Sequence, residues 1–255
     1  MLLTRVIPIL LLHKGALYKT IEFQNPTYVG DPINAVRIFS DKAVDELVIL
    51  DVDASAEGRG PDFALIEAIA SECFVPLAYG GGIASVADTR RLHRIGVEKV
   101  IVKTGAARNV GLISEIAAVG GSQSLTVSID LIRGRFGRYR IHAPGTPLHR
   151  EMDWIGYLKK IQDAGAGEVL LQSVSDDGSR SGAAIDIVRQ ANDVLRVPLV
   201  YAGGVGSLND IPAIIESGAN AVGAGSIFVF RGKRRAVLIN YPDHELLERS
   251  LGPGT

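Results

Sequence analysis

The chain has 255 residues, 47% of them hydrophobic and 22% charged, with a formal net charge of −1. That balance describes a globular protein with one large core and gives no electrostatic reason to expect nucleic acid or an anionic membrane as a partner. No apolar run reaches the roughly 20 residues that cross a bilayer, and the lone cysteine, Cys73, excludes an internal disulfide, which fits a cytoplasmic protein.

Strand-like and helix-like segments alternate from the start. Met1 to Leu12 is apolar but lacks a basic n-region and a cleavage site, so Val6 to Leu12 reads as a first strand rather than a signal peptide. Pro32 to Val44 has helical spacing, with Asp31 as N-cap. Leu47 to Val52 is a buried-type strand and Asp62 to Glu72 a helix; Pro76 to Tyr79 is a strand, and Ser85 caps a helix to Ile95. Val100 to Val102, a helix from Asn109 to Ala118, and a fifth strand from Leu125 to Ile129, ending at Asp130, follow. Phe136 to Ile141 reads as a small hairpin before a helix from Trp154 to Ala164. Val169 to Leu171, a helix from Ala184 to Asn192, a strand opening at Leu199, a helix from Leu208 to Glu216 and a strand at Ala221 to Val222 complete the count. Eight β-runs with intervening helices predict a (β/α)8 TIM barrel. No linker interrupts it, so residues 1–255 are expected to form a single domain.

Two short β-branched runs near the end each finish in glycines: Leu199-Val-Tyr-Ala-Gly-Gly-Val-Gly-Ser and Ala221-Val-Gly-Ala-Gly-Ser-Ile-Phe. Such turns let backbone N–H groups approach an anion at a helix start, and two in succession describe a phosphate cup built from Gly203, Gly204, Gly225 and Ser226. The first half echoes them in Tyr79-Gly-Gly-Gly-Ile-Ala-Ser and Val102-Lys-Thr-Gly-Ala-Ala. This half-barrel internal duplication implies a second cup around Gly82 and Thr104, and a small molecule phosphorylated at both ends would span the two. Plain strand-to-helix turns also use glycine; the repetition favours the cups.

Several segments carry a resemblance to a known family. Asp45-Glu-Leu-Val-Ile-Leu-Asp-Val-Asp-Ala-Ser, Gly80-Gly-Gly-Ile, Ser128-Ile-Asp130, Gly165-Ala-Gly-Glu168 and Asp176-Asp-Gly-Ser-Arg-Ser-Gly182 resemble, with the opening stretch, the cyclase subunit of imidazole glycerol phosphate synthase, the HisF family. The resemblance spans nearly the full chain. It implies ammonia supplied through the barrel by a HisH-like glutaminase docked on the N-terminal face, and it implies no cofactor or metal. By the same resemblance Asp130 is the general acid/base, Lys19 in the long loop after strand one closes over the ligand, and Asp51 and Asp177 lie at the mouth. Loop capping is the plainer role for these last two, above all at Asp177 in its turn-prone Asp-Asp-Gly.

Arg5, Glu46, Lys99 and Glu168 each precede the apolar run of a strand. Two positive and two negative charges at equivalent depth are expected to form a neutral ring, and the matching residues of the family gate the ammonia path. Glu98 and Gln123 match positions near the glutaminase contact.

One departure stands out. The family uses paired aspartates, ending strands one and five, to deliver and remove protons. Here the strand-one position is Leu11, and His13 lies two residues on, read as a loop residue. Lys103, Gln172 and Ala202 also replace the family's asparagine, threonine and serine, and the segment from Arg231 to Pro242 differs from its usual close. In these respects the chain is most similar to a paralogous, WbuZ-like branch associated with sugar amidation in surface polysaccharide synthesis. That branch implies ammonia delivery to a separate sugar amidotransferase making an acetamidino group. The histidine-pathway cyclase itself is the alternative. The pathway's phosphoribosyl isomerase comes third, since it also needs both aspartates and has no use for the ring charges.

Overall fold

The computed structural model describes residues 4–232 and 234–251. Residues 1–3 and 252–255 of the expected domain, and Lys233 of the basic run 231–235, lie outside the described residues.

Strand β1 (Arg5–His13) is buried along its length except at its two ends. Its run Val-Ile-Pro-Ile-Leu-Leu-Leu has no polar face because both faces are covered. Ile7, Ile9 and Leu11 join an inner cluster with Val48, Ala78, Ile101, Leu170 and Val200. Val6, Leu10 and Leu12 join a much larger outer cluster under the helices. Parity along each strand thus divides the core into a barrel interior and a helix–sheet layer.

The segment after β1 folds back as a hairpin, β2 (Ala16–Ile21) and β3 (Gln24–Gly30), with β2 antiparallel to the end of β1. The expected long loop is therefore a strand pair. Helix α1 (Pro32–Asp41) follows, with Asp31 accepting from the Asn34 N–H at 2.9 Å. Next come β4 (Leu47–Asp51), α2 (Phe63–Ala70), β5 (Leu77–Gly80), α3 (Val86–Ile95), β6 (Lys99–Val102), a short α4 (Thr104–Arg108), α5 (Gly111–Gly120) and β7 (Leu125–Arg133). The second half contains β8 (Tyr139–Ile141), α6 (Trp154–Asp163), β9 (Glu168–Ser173), α7 (Ile185–Asn192), β10 (Leu199–Ala202), α8 (Ile211–Glu216), β11 (Ala221–Ala224) and the short α9 (Ser226–Val229). A two-stranded ribbon, β12 (Phe230–Arg231) and β13 (Ala236–Val237), leads to α10 (His244–Leu251).

Strands β1, β4, β5, β6, β7, β9, β10 and β11 pair in parallel in that order, and β11 returns to β1 with Arg5 beside Ala221. The sheet is closed: a (β/α)8 TIM barrel. Within it, Asp130, Gln172, Ala202 and Gly223 stand side by side on four successive strands at the C-terminal mouth.

Two boundaries differ from the sequence reading for a physical reason. Strand β7 continues past Asp130 to Arg133 because β8 pairs with it, Leu131 opposite Ile141 and Arg133 opposite Tyr139. Helix α10 was not expected; it buries Leu247, and the Tyr241 hydroxyl just before it donates to the Val6 carbonyl at 2.7 Å. Among the described residues no helix is long and apolar enough to cross a membrane.

Candidate functional site

At the N-terminal end of the barrel, Arg5, Glu46, Lys99 and Glu168 meet at the axis. Arg5 donates to both Glu46 and Glu168. Lys99 Nζ lies 2.9 Å from Glu46 Oε2 and 3.3 Å from Glu168 Oε1. Each carboxylate therefore contacts both cations, and the ring is electrically neutral. The Thr126 hydroxyl adds a bond to Glu168 at 3.1 Å. Burial works against the Arg5 guanidinium charge, but the carboxylates of Glu168 and Glu46 outweigh it and hold Arg5 above its ordinary range. Glu98 and Gln123 are exposed on the same side of the barrel, at the starts of β6 and β7.

At the opposite end, the two glycine turns repeat in structure. Gly81 and Gly82 have φ of +140° and +68°, and Gly203 and Gly204 have +114° and +78°. Space as well as dihedral demands glycine: a Cβ at Gly82 would sit 2.6 Å from the Arg59 carbonyl, and one at Gly204 only 1.9 Å from that of Gly182. Ser85 and Ser207 then play matching roles three residues before Asp88 and Asp210. Thr104 opens α4 and Ser226 opens α9. The Ser226 Oγ is buried with no hydrogen-bond partner.

The second turn borders a narrow cleft whose lining includes Leu11, Lys19, Gln172, Asp177, Gly204 and Gly225. Lys19, on β2, reaches back over it. Its Nζ donates to Asp177 at 2.8 and 3.0 Å, both side chains are buried, and its stem packs against Gly225. Thr20 Oγ1 adds a bond to Asp177 at 3.3 Å, and the Glu22 N–H donates to the Asp177 carbonyl at 2.9 Å. The hairpin is thereby latched across the mouth.

Asp51 is engaged differently. It accepts from the Asp53 and Ala54 N–H groups at 3.0 and 3.1 Å and pairs with Arg59 through two bonds of 2.8 and 3.0 Å. The capping role expected above all at Asp177 is filled by Asp51, while Asp177 takes the lysine.

Asp130 is 3% exposed at the mouth end of the barrel's fifth strand. Lys103 Nζ contacts its Oδ2 at 2.6 Å and Ser128 donates to its Oδ1 at 3.3 Å. Leu11, 6% exposed, presents an alkyl wall from the first strand. His13 belongs to β1 rather than a loop, and its ring is occupied: Nδ1 lies 2.8 Å from Asp53 Oδ1 and the plane meets Tyr18 edge-on at 5.0 Å. Burial raises the Asp53 carboxyl, but the Lys14 N–H and His13 outweigh it and hold the group below the usual range.

Comparison with known proteins settles the kinship. Residues 5–234 match the family model described as "Histidine biosynthesis protein". The chain belongs to this family. A HisF protein of Leptospira interrogans, provisionally named an imidazole glycerol phosphate synthase subunit, is 43% identical over 96% of this chain and 97% of its own. Proteins provisionally named hisF3 in Vibrio vulnificus and hisF2 in Pseudomonas aeruginosa, as subunits of the same synthase, are each 42% identical. The first covers 98% of this chain and 97% of its own length, the second 96% and 98%.

Within this family frame, one mouth residue escaped the sequence reading. His142 follows β8, its N–H donating to the Asp130 carbonyl at 2.7 Å. Its ring lies 6.0 Å from Phe23 at the hairpin turn and 5.6 Å from His149. Burial pushes the imidazole down; Asp130 pulls it up, and Lys103, His149 and Arg140 push it further down, leaving it below the ordinary histidine range. Nothing in the sequence signals this, because only the β7–β8 pairing brings His142 opposite Asp130.

Proposed function

We propose that this chain is the ammonia-using barrel subunit of a glutamine-dependent assembly of the imidazole glycerol phosphate synthase type. A HisH-like glutaminase docks on the N-terminal face around Glu98 and Gln123. Ammonia enters through the Arg5–Glu46–Lys99–Glu168 ring and is consumed at the mouth, on a ligand held by phosphate cups at Gly82 and Thr104 and at Gly203, Gly204, Gly225 and Ser226. The neutral ring in line with the mouth is the observation that carries this reading. A barrel with no gas or small solute to admit has no need of two buried carboxylates and two half-buried cations on its axis, where paired ions rarely improve stability over apolar packing. Between ring and mouth the lining is largely Ile7, Val48, Ala78, Ile101, Leu170 and Val200. Such a lining favours neutral ammonia over ammonium, whose charge is costly to desolvate.

Two acceptor chemistries fit this frame. The names carried by the relatives support cyclisation to imidazole glycerol phosphate, with Asp130 as an acid/base group, Lys19 and Asp177 closing the mouth, and Asp51 setting the loop beside the first cup. Leu11 favours a second reading: a barrel that passes ammonia to a separate sugar amidotransferase, as in the WbuZ-like branch. A leucine cannot move a proton, and Lys103 binds Asp130, the carboxylate left of the family's pair.

The test reconstitutes the chain with its glutaminase. Glutamine hydrolysis rising on addition of the barrel is the expected result; no stimulation under any ligand overturns the whole proposal. Formation of imidazole glycerol phosphate from the ribulosyl aminoimidazole precursor and ammonium chloride supports the cyclase reading, and stimulation without that product supports sugar amidation.

A further inference from the structure

Leu11 leaves the first-strand side of the mouth without a proton-transfer group, and His13 is held by Asp53 and Tyr18. Three titratable groups, Lys103, Asp130 and His142, gather instead around β6, β7 and β8. We propose that His142 is a proton-transfer residue of this site, working beside Asp130 in place of the missing first-strand carboxylate.

Position comes first. In the β7–β8 pair Leu131 is opposite Ile141, and both point into the outer core. The next pair inward is Asp130 with His142, joined by the 2.7 Å backbone bond, so by the pleat both project from the other face, into the mouth. Directly opposed residues on one face have Cβ atoms about 5 Å apart. Enclosure comes second. Phe23, at the turn of the latched hairpin, meets the His142 ring edge-on and lies 5.9 Å from Lys103 Nζ. The imidazole thus sits half-buried between lid and barrel, where bulk water is thinned.

The charges facing it complete the case. From β7 comes the Asp130 carboxylate, from the end of β6 Lys103, and from β8 and the segment after it Arg140 and His149. Lys103 pairs with Asp130 through its 2.6 Å contact. Asp130 in turn favours an imidazolium when one forms, while burial and the three basic neighbours keep the resting ring neutral. A neutral ring that becomes charged only transiently is what a proton shuttle requires.

The inference rests on the cyclase reading. Ammonia's lone pair forms a bond to an electrophilic carbon of the phosphorylated ligand, and the nitrogen gives one proton to the His142 imidazole. The bond broken at that carbon sends its electron pair with the departing group, which takes the proton back from the imidazolium. No net proton is consumed.

The test compares wild type with His142→Gln and His142→Ala, using the ribulosyl aminoimidazole precursor and ammonium chloride, with thermal melts to verify folding. For His142→Gln, kcat should fall by about 10²–10⁴-fold with KM little changed. The acid limb of the wild-type kcat/KM profile should disappear, and added imidazole should partly restore His142→Ala. A His142→Gln enzyme with the wild-type kcat and an unaltered acid limb overturns the assignment alone. A wild type that makes no product overturns the cyclase reading and the assignment with it. Independently of turnover, the His142 ring should titrate below the ordinary histidine range by NMR and lower still in Asp130→Asn; an unmoved value contradicts the coupling.

Discussion

The two ends of this barrel bury charge in different ways. At the base, Arg5, Glu46, Lys99 and Glu168 share their contacts, and all four come from barrel strands or the residue just before one. At the mouth the charges form separate pairs that tie different parts together: Lys103 with Asp130 within the barrel, Lys19 with Asp177 between hairpin and loop, Arg59 with Asp51 within one loop. A shared ring resists opening because no member can leave without stranding two others. Isolated pairs let one segment move while the rest stay in place. The base is held together as one shared ring, and the mouth as a set of separate latches.

Breaking the ring should therefore cost most. Glu168→Ala strands Arg5, Lys99 and the Thr126 hydroxyl, and urea unfolding should show a loss of about 3–5 kcal/mol. A loss well below 1 kcal/mol would dissolve the contrast between ring and latch. Lys19→Met should cost less, about 1–3 kcal/mol, because the hairpin can lift and let water reach Asp177. Hydrogen exchange should quicken in β2 and β3 while the barrel strands stay protected; uniform protection would mean the pair is no latch.

Leu11→Asp probes the alkyl wall. The new carboxyl would lie beside Ile9 and Leu50 and be pushed upward by burial, costing about 1–3 kcal/mol. Little cyclase activity should be gained over wild type, since Lys103, Gln172 and Ala202 shape the same space; a large gain would make Leu11 the main barrier. The smallest effect concerns pH. The unfolded chain protonates His142 near 6.5, and the folded chain below that. Above 6.5 both states are neutral at this ring and the native state keeps its full advantage. As pH falls through 6.5 toward the folded value, the unfolded state binds the proton first and stability drops. His142→Gln should flatten the stability profile across that window, and an unchanged slope would show that another group sets it.

Much of this was legible in the sequence, and the exceptions share a cause. The alternation of Val6, Leu10 and Leu12 with Ile7, Ile9 and Leu11 predicts strands covered on both faces, and regular strand–helix alternation then leaves few topologies. The glycine turns at Gly81-Gly82 and Gly203-Gly204 announce themselves because positive φ and the crowding by neighbouring carbonyls leave no other residue possible. What the sequence hides is set by pairing between segments. The hairpin of β2 and β3 takes its register from β1 and its latch from Asp177, far along the chain. Asp51 and Asp177 look alike in sequence as mouth aspartates, and only the arrival of Arg59 at one and Lys19 at the other tells them apart. His142 is an ordinary histidine until β8 sets it against Asp130.

The central claim is that one axis joins the ring to the mouth. Its most direct test supplies the chain and the proposed HisH-like glutaminase with glutamine labelled with ¹⁵N in the amide, in a bath of unlabelled ammonium, and measures label in the product. The account predicts that wild type retains the label against the bath, while Lys99→Ala, which opens the ring, lets bath nitrogen in. Equal dilution in wild type and variant would contradict it.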